Sequence, residues 1–210
     1  MYVPRHFAQD DPDTLRAAMR DIKLATLVTF GTDGLEASHI PMIVEAEPGP
    51  LGKLRGHIAR ANPQWRMLKA EIPAMAMFLG PNAYISPSNY PTKQRTGEVV
   101  PTWNYVAIHV YGTLTVFHEP EKLLALVTEL TTIHESPRPT PWAVADAPKP
   151  YLDMMLRGIV GLEMTITRLE GKWKMSQNQP AENRIGVAEG LAGEAETAEV
   201  ARIVAETDKT

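Results

Sequence analysis

Short segments with the composition of β-strands recur along this chain, and turn residues separate them. LATLVTF, SHIPMIVEA, KLRGHIA, AMAMFLG and NYVAIHVYGTLTVF are rich in β-branched and aromatic residues, and Gly, Pro, Asn or Asp lies between most of them. Segments with a helical period are few and stand between the strands. Many short strands with connector helices are typical of antiparallel barrels. The sequence therefore predicts a mainly β fold in the form of an antiparallel barrel.

A proline interrupts one of these strands. The segment 35–45 has strand character, but Pro41 lies inside it and has no N–H group to donate to a neighbouring strand. We therefore expect this strand to lie at an edge, to bulge or to open locally. A strand with an incomplete ladder also leaves neighbouring backbone amides free for other partners.

Helices and turns complete the predicted pattern. Asp11 is a predicted N-cap with Pro12 in the first turn of its helix. Hairpin turns are predicted at GTDG and at Glu170-Gly171, and a Pro-rich loop at 87–103. Connector helices are predicted over 11–22, 62–72, 120–135 and 151–156, with a terminal helix that frays at its end. In the third helix, we expect four residues to face inward: Leu123, Leu124, Val127 and Leu130.

Composition excludes several classes of protein. The 210 residues include no cysteine, which rules out disulfides, thiolate metal sites and cysteine nucleophiles. The net charge is −4 and the basic residues are scattered, so direct binding to DNA is not favoured. No run of eighteen apolar residues and no signal-peptide profile occurs, so we expect no membrane span and a cytoplasmic location. The six histidines lack metal-ligand spacing, and no nucleophile elbow or Gly-rich phosphate loop is present.

The segment GHIARANPQW has two interpretations when it is considered alone. A helix that starts near Asn62 would present free N–H groups and a positive dipole end to an anion, and Arg60 could add a charged hydrogen bond. Alternatively, Asn62 only caps the helix, Arg60 is solvated and His57 fills a strand position. The residues alone do not decide between these two.

Five segments in order resemble the PaiB family: SHIPMIVEA, GHIARANPQW, YISPSNYP, PTWNYVAIHVYG and KWKMSQNQP. This family of FMN-binding negative transcriptional regulators belongs to the FMN-binding split barrels related to pyridoxamine phosphate oxidase. The resemblance extends over 1–191. It implies a six-stranded antiparallel split β-barrel domain over these residues, and leaves 192–210 as a C-terminal helical tail. It also implies a homodimer with two FMN molecules in clefts between the subunits.

The resemblance also implies which residues hold FMN. His39 would lie near the pyrimidine part of the ring, Arg60 and Asn62 near the phosphate, and Trp103 over the ring. It implies no metal and assigns no catalytic residue. The FMN-binding residues implied are His39, Ile40, Pro41, Met42, His57, Ile58, Ala59, Arg60, Asn62, Trp65, Trp103, Asn104, Lys174, Ser176, Gln177 and Asn178.

Two functions are compatible with the resemblance. The first is an FMN-binding transcriptional regulator that senses or uses the redox state of its flavin. Since the charge does not favour DNA, such a regulator would act through a protein partner or a small-molecule reaction. The alternative is an FMN-dependent oxidoreductase, a flavin reductase or oxidase, with a small-molecule substrate. The loop 87–103 would then be its lid, with Tyr84, Tyr90 and Arg95 available to that substrate.

Overall fold

The computed structural model describes residues 1–32, 34–47, 49–69 and 71–207. These residues form eight strands: β1 (Ala8–Gln9), β2 (Leu24–Gly31), β3 (Gly34–Pro41), β4 (Ile43–Glu45), β5 (Lys53–Ala59), β6 (Ala74–Ile85), β7 (Thr102–Phe117) and β8 (Ile159–Lys174). The helices are α1 (Pro12–Ile22), α2 (Lys93–Thr96), α3 (Pro120–Glu135), α4 (Lys149–Arg157), α5 (Ala181–Leu191) and α6 (Ala198–Glu206). Single 3-10 turns lie at Arg5–Phe7, Pro63–Arg66, Pro87–Asn89 and Val144–Asp146.

The strands form one sheet in the order β3-β2-β6-β7-β8-β5-β4, with β1 paired to β8. Its two end strands, β3 and β4, are separated along the chain only by Met42. The sheet must therefore curve until its ends approach each other. Accordingly, a Cβ placed on Gly56 of β5 would lie 3.0 Å from the Pro41 carbonyl oxygen at the end of β3. The prediction of a mainly β, antiparallel fold is confirmed.

The predicted strand 35–45 is divided into β3 and β4 directly after Pro41. The Met42 N–H donates to the Lys23 carbonyl at 3.0 Å, which continues the β2–β3 register by one residue. This division and the two-residue strand β1 explain why the sheet has eight strands rather than the predicted six. The predicted hairpin turn at GTDG joins β2 to β3, with Gly31 paired to Gly34; its Asp33 lies outside the described residues.

The chain divides into two compact units. The first unit contains Met1–Leu15, Leu79–Ile108 and Glu170–Thr210, and the second contains Arg16–Phe78 and His109–Leu169. The strands β6, β7 and β8 each contribute residues to both units. The single-domain boundary at residue 191 stays a prediction.

In the second unit, side chains alternate between a buried and an outward face, as on a half-buried strand. Ala25 and Leu27 of β2 are buried, and α3 packs Leu126 and Leu130 against Ile43 of β4. The inward face of α3 was predicted only in part. Leu124 is 38% exposed, because the buried side of the helix follows the spacing Leu123, Leu126 and Leu130.

In the first unit, both C-terminal helices pack against the ends of the long strands. The predicted tail 192–210 contains one helix, α6, as expected, and α5 precedes it; the predicted frayed end falls on 208–210, outside the described residues. The buried cluster of this unit comprises Ala83, Ile85, Tyr90, Val106, Met175, Val187, Leu191, Val200, Ala201 and Val204. The helix α6 is therefore part of a core.

The predicted hairpin at Glu170-Gly171 is wrong, because β8 continues through both residues. Gly171 instead allows β1 to approach closely. A Cβ on Gly171 would lie 2.6 Å from the Gln9 carbonyl oxygen and 2.3 Å from a methyl group of Leu15. AMAMFLG and AYIS, predicted as separate strands, form the single strand β6. Across the described residues, no helix combines the length and apolarity that a membrane crossing requires.

Replacement of Gly112 by alanine is expected to destabilise the protein. A Cβ at Gly112 of β7 would lie 2.2 Å from the Thr165 carbonyl oxygen of β8, so the strands would have to shift. We expect Gly112→Ala to lower the free energy of unfolding by about 1–3 kcal/mol, measured by urea denaturation. Gly193→Ala is the control, since no atom lies within 4 Å of its added Cβ. Equal urea midpoints for the two variants would contradict the close packing of β7 on β8.

Candidate functional site

The corner after β5 is built by Asn62 and a single 3-10 turn. The side-chain oxygen of Asn62 accepts a hydrogen bond from the Gln64 N–H at 2.9 Å, so the predicted cap is confirmed. The predicted helix over 62–72 is wrong: only the turn Pro63–Arg66 forms. One 3-10 turn has little of the dipole that makes a long helix attractive to anions. An anion at this corner would therefore have to be held by side chains.

The two predicted phosphate ligands, Arg60 and Asn62, are hydrogen-bonded to different elements. The Arg60 guanidinium donates to the Arg157 carbonyl at 2.7 Å and to the Ile159 carbonyl at 2.9 Å, at the start of β8. The Asn62 side chain donates to the Ser38 hydroxyl at 2.9 Å, on β3. The roles of both residues in FMN binding stay predictions.

Gln64, which no sequence motif indicated, fixes this corner to the sheet. Its amide is buried, at 1% exposure. The amide nitrogen donates to the Leu27 carbonyl at 3.2 Å, the Thr29 hydroxyl at 3.1 Å and the Glu36 carbonyl at 3.2 Å. Within the described part of the chain, its amide oxygen has no hydrogen-bond partner. A glutamine near the surface and a buried one look alike in a sequence, so only the fold reveals this anchor.

The predicted FMN-binding residues on and directly after β3 differ in how far their side chains are exposed. Ile40 and Met42 are buried, at 6% and 4% exposure, and can offer a ligand mainly backbone groups. His39 is exposed on this end strand, and its Nδ1 forms a hydrogen bond with the Thr26 hydroxyl at 2.9 Å. Pro41 is half-buried at the strand end. The side chain that β3 exposes most to a ligand, among these four, is therefore His39.

The predicted residues on and after β5 are equally varied. Burial lowers the pKa of His57, so its ring is neutral at neutral pH. Ile58 is buried and Ala59 is exposed. The indole N–H of Trp65 donates to the Arg60 carbonyl at 3.0 Å. The Trp65 ring lies edge-to-face with the His118 ring, with 5.4 Å between centroids.

The remaining predicted residues lie in the first unit. The buried amide of Asn104 donates to the buried Ser176 hydroxyl at 2.9 Å. Gln177 donates to the Trp173 carbonyl at 2.6 Å and accepts from the Met175 N–H at 2.7 Å. These three polar side chains therefore already have partners within the protein. Asn178 is exposed, and no role is visible for it.

Lys174 and an exposed aromatic pair are the most ligand-like features of the first unit. The ammonium group of Lys174 donates to the Thr102 hydroxyl and the Trp103 carbonyl. Trp103 and Tyr84 are 53% and 51% exposed, and their rings lie edge-to-face with centroids 6.2 Å apart. Burial, and secondly the charge of Lys172, lower the pKa of Lys174.

No carboxylate balances this pair of lysines among the residues that the structure describes. Lys172 is 7% exposed, and its ammonium donates to the Tyr2 carbonyl at 3.1 Å. It also lies 5.6 Å from the ring centroid of Tyr2 and 5.2 Å from that of Tyr105. A negatively charged or electron-rich group of a ligand would therefore be stabilised beside Lys174.

The loop 87–103 is tied to α5 and is less open than the lid interpretation expects. Tyr90 is buried at 3% exposure, so the prediction that it is available to a substrate is wrong. Thr92 donates to the Asn183 side-chain oxygen at 3.0 Å, and Arg95 forms a two-pronged ion pair with Glu182. Tyr84 alone of the three expected substrate residues presents an exposed ring free of an ion pair.

The fold matches solved structures at low sequence identity. A conserved hypothetical protein, Rv2991 from Mycobacterium tuberculosis, aligns with a TM-score of 0.59 and 13% identity over 86% of this chain and 94% of that chain. The FAD and heme binding protein from Mycobacterium smegmatis aligns with a TM-score of 0.57 and 15% identity over 80% of this chain and 73% of that chain. The fold is an antiparallel split barrel.

Sequence comparison identifies the family. A family model described as "Putative FMN-binding domain" matches residues 1–168. Protease synthase and sporulation protein PAI 2 of Bacillus subtilis is 31% identical over 92% of this chain and 90% of that protein. An uncharacterized protein of Aspergillus fumigatus is 34% identical over 91% and 90%. The chain belongs to this FMN-binding family, its similarity to PaiB is confirmed, and its cofactor is FMN.

The described residues fit this cofactor. In the first unit, Lys174 supplies a cation without a carboxylate, next to the exposed rings of Trp103 and Tyr84. In the second unit, the end strand β3, which ends at Pro41, supplies an exposed histidine. Each unit therefore supplies, by itself, groups of a kind that can contact a flavin.

Proposed function

We propose that this protein is an FMN-dependent redox sensor of the PaiB type, a transcriptional regulator whose output follows the oxidation state of its flavin. The observation that carries this proposal is the environment of Lys174, a partly buried ammonium group with hydroxyl and carbonyl partners but no carboxylate. The Bacillus subtilis relative is named for protease synthesis and sporulation, which supports a regulatory role.

FMN supplies the redox chemistry when it is bound, and the chain's residues set how easily the flavin is reduced. Reduction places negative charge on the flavin. The Thr102 and Trp103 oxygens hold the Lys174 ammonium in place without neutralising it. Since burial lowers the pKa of Lys174, added negative charge nearby would stabilise its protonated form. Lys174 thus favours the reduced state of the cofactor.

Regulation by this protein would not use direct contact with DNA. The net charge of −4 opposes binding to a phosphate backbone, which normally takes a cluster of Lys and Arg. The output would instead pass through a protein partner or a small-molecule reaction in the cytoplasm. We expect no gel shift with nanomolar purified protein and promoter fragments. A shift that weakens steeply with added salt would contradict this part of the proposal.

A homodimer is also part of the proposal. The outward face of β2 and β3 carries Leu24, Phe30 and Leu35, which are 54%, 48% and 75% exposed. Three large apolar side chains on one face of paired strands are costly to leave in water, and a second copy would cover them. A split barrel that places FMN between subunits would need such a face.

Phe30→Glu combined with Leu35→Glu is expected to give monomers that retain little FMN. The two carboxylates would repel or be desolvated in a dimer interface. Light scattering after size exclusion measures the mass, and absorbance of released flavin measures FMN content. Lys122→Glu on α3 is the control, since this exposed side chain pairs with Glu119 at the start of its own helix. A double variant that remains dimeric would exclude this face as the interface.

Replacement of Lys174 by glutamine is expected to make the bound flavin harder to reduce. Removal of a charged hydrogen-bonding group costs about 1–2 kcal/mol, which lowers a two-electron midpoint potential by about 20–45 mV. Anaerobic titration with a dye of known potential measures the shift. Lys174→Arg keeps the charge and should stay near the wild-type potential.

The same purified protein distinguishes the two candidate functions, the redox sensor and the oxidoreductase. A sensor should be reduced reversibly without sustained turnover, whereas an oxidoreductase should consume NADH or NADPH continuously with a small-molecule acceptor. An unchanged potential in Lys174→Gln would contradict the role of Lys174. Sustained turnover would favour the FMN-dependent oxidoreductase, for which the exposed ring of Tyr84 remains available to a substrate.

A further inference from the structure

A cavity lies in the second unit beside α3 and α4. Its volume is about 260 Å³, which is just below the range of about 300–1,000 Å³ found for sites that take drug-sized ligands. We name it the Arg60 pocket, and seven residues line it: Arg60, His118, Pro120, Leu123, Asp153, Leu156 and Arg157. It can hold a small molecule but not an entire dinucleotide or flavin nucleotide.

Arg60 is fixed in this pocket before any ligand arrives. Its Nε and one terminal nitrogen donate to the carbonyls of Arg157 and Ile159, at 2.7 and 2.9 Å. Its backbone N–H donates to the Gly158 carbonyl at 2.8 Å. A guanidinium carries five N–H donors, so donors remain for another acceptor. An anion would therefore meet a cation whose conformational entropy has already been lost.

The pocket contains more positive than negative charge. Arg157 is exposed, and within the described ranges neither it nor Arg60 pairs with a carboxylate. The lining carboxylate is Asp153, and its two oxygens accept from Lys149 at 2.9 and 3.1 Å. The charge of Asp153 is thus largely offset by a lysine, while both arginines remain without a counter-ion.

An aromatic stack and an apolar wall complete the pocket. The His118 ring lies edge-to-face with Trp65, and the Arg66 guanidinium lies 4.8 Å from the centroid of the Trp65 ring. Leu123 and Leu156 are buried, at 1% and 7% exposure, and form apolar lining with Pro120. The pocket therefore has arginine side chains that can contact an anionic group and apolar side chains that can contact the rest of a ligand.

We propose that the Arg60 pocket binds a small organic oxyanion, a carboxylate or phosphate ester with a compact apolar group, as a ligand separate from FMN. The hydrogen bonds of Asn62 lead to β3, whereas those of Arg60 lead to β8. In this proposal Arg60 contacts the second ligand, and Asn62 remains the predicted contact of the FMN phosphate. Binding of such a ligand would then regulate the protein in addition to the redox state of its flavin.

Calorimetric titration of the FMN-loaded protein tests this proposal, with benzoate, phenyl phosphate and inorganic phosphate as probes. We expect benzoate or phenyl phosphate to bind more tightly than inorganic phosphate, because the pocket has apolar lining. Arg157→Gln should weaken binding by about tenfold or more, and FMN content, read from flavin absorbance, should not change. Arg138→Gln is the matched control, because this exposed arginine pairs with Glu135 outside the pocket.

Three results would overturn the proposal. The first is no heat of binding with any probe. The second is binding that neither Arg157→Gln nor His118→Asn weakens, which would place the anion elsewhere. The third is an Arg157→Gln protein that binds riboflavin normally but loses affinity for FMN, which would make the pocket the phosphate site of the cofactor. Probe binding that is about tenfold weaker in an FMN-loaded Arg157→Gln protein with a normal unfolding midpoint would support it.

Discussion

The division of one strand into β3 and β4 after Pro41 organises the second unit. The Met42 N–H still donates to the Lys23 carbonyl in the β2–β3 register, and the chain then restarts as β4 at the opposite end of the strand order. Two consecutive strands at opposite ends of one sheet force that sheet to curve. The close approach of Gly56 to the Pro41 carbonyl follows from that curvature. The same break leaves His39 exposed on an end strand, where a ligand can reach both its ring and the backbone.

The strands and the interruption at Pro41 could be predicted from the sequence, because period, β-branched residues and proline chemistry are local properties. The predictions were wrong where contacts between distant parts of the chain determine the local structure. Gly171 resembles a turn glycine, but its φ is not in the left-handed region, and it serves the close approach of β1. The segment after Asn62 has a helical composition, yet it stops after one turn because Gln64 is held by three acceptors on β2 and β3.

From the sequence, the candidate site could be predicted only as residues in five motifs that occur in a given order, without the contacts that each side chain makes. Asn104, Ser176 and Gln177 are polar residues in recognisable motifs, but the structure shows that they bond to one another or to backbone. Lys174 lies in the same motif and differs because its partners leave its charge intact. Amino-acid composition does not show whether a polar side chain is hydrogen-bonded within the protein or is a charged group without a counter-ion. That distinction depends on neighbours that are about 70 residues apart in the chain.

Four cations of the described residues differ in how they are held. Arg55 pairs with Glu45 and Glu129, and Lys53 with Glu163, so their charges are largely offset within the protein and can contribute little to a ligand. Arg60 and Lys174 are held instead by neutral oxygens, which fix the position of a cation without offsetting its charge. Desolvation of a cation without a counter-ion is unfavourable. A bound anion would offset this cost, which is why both proposals place an anionic group beside these cations.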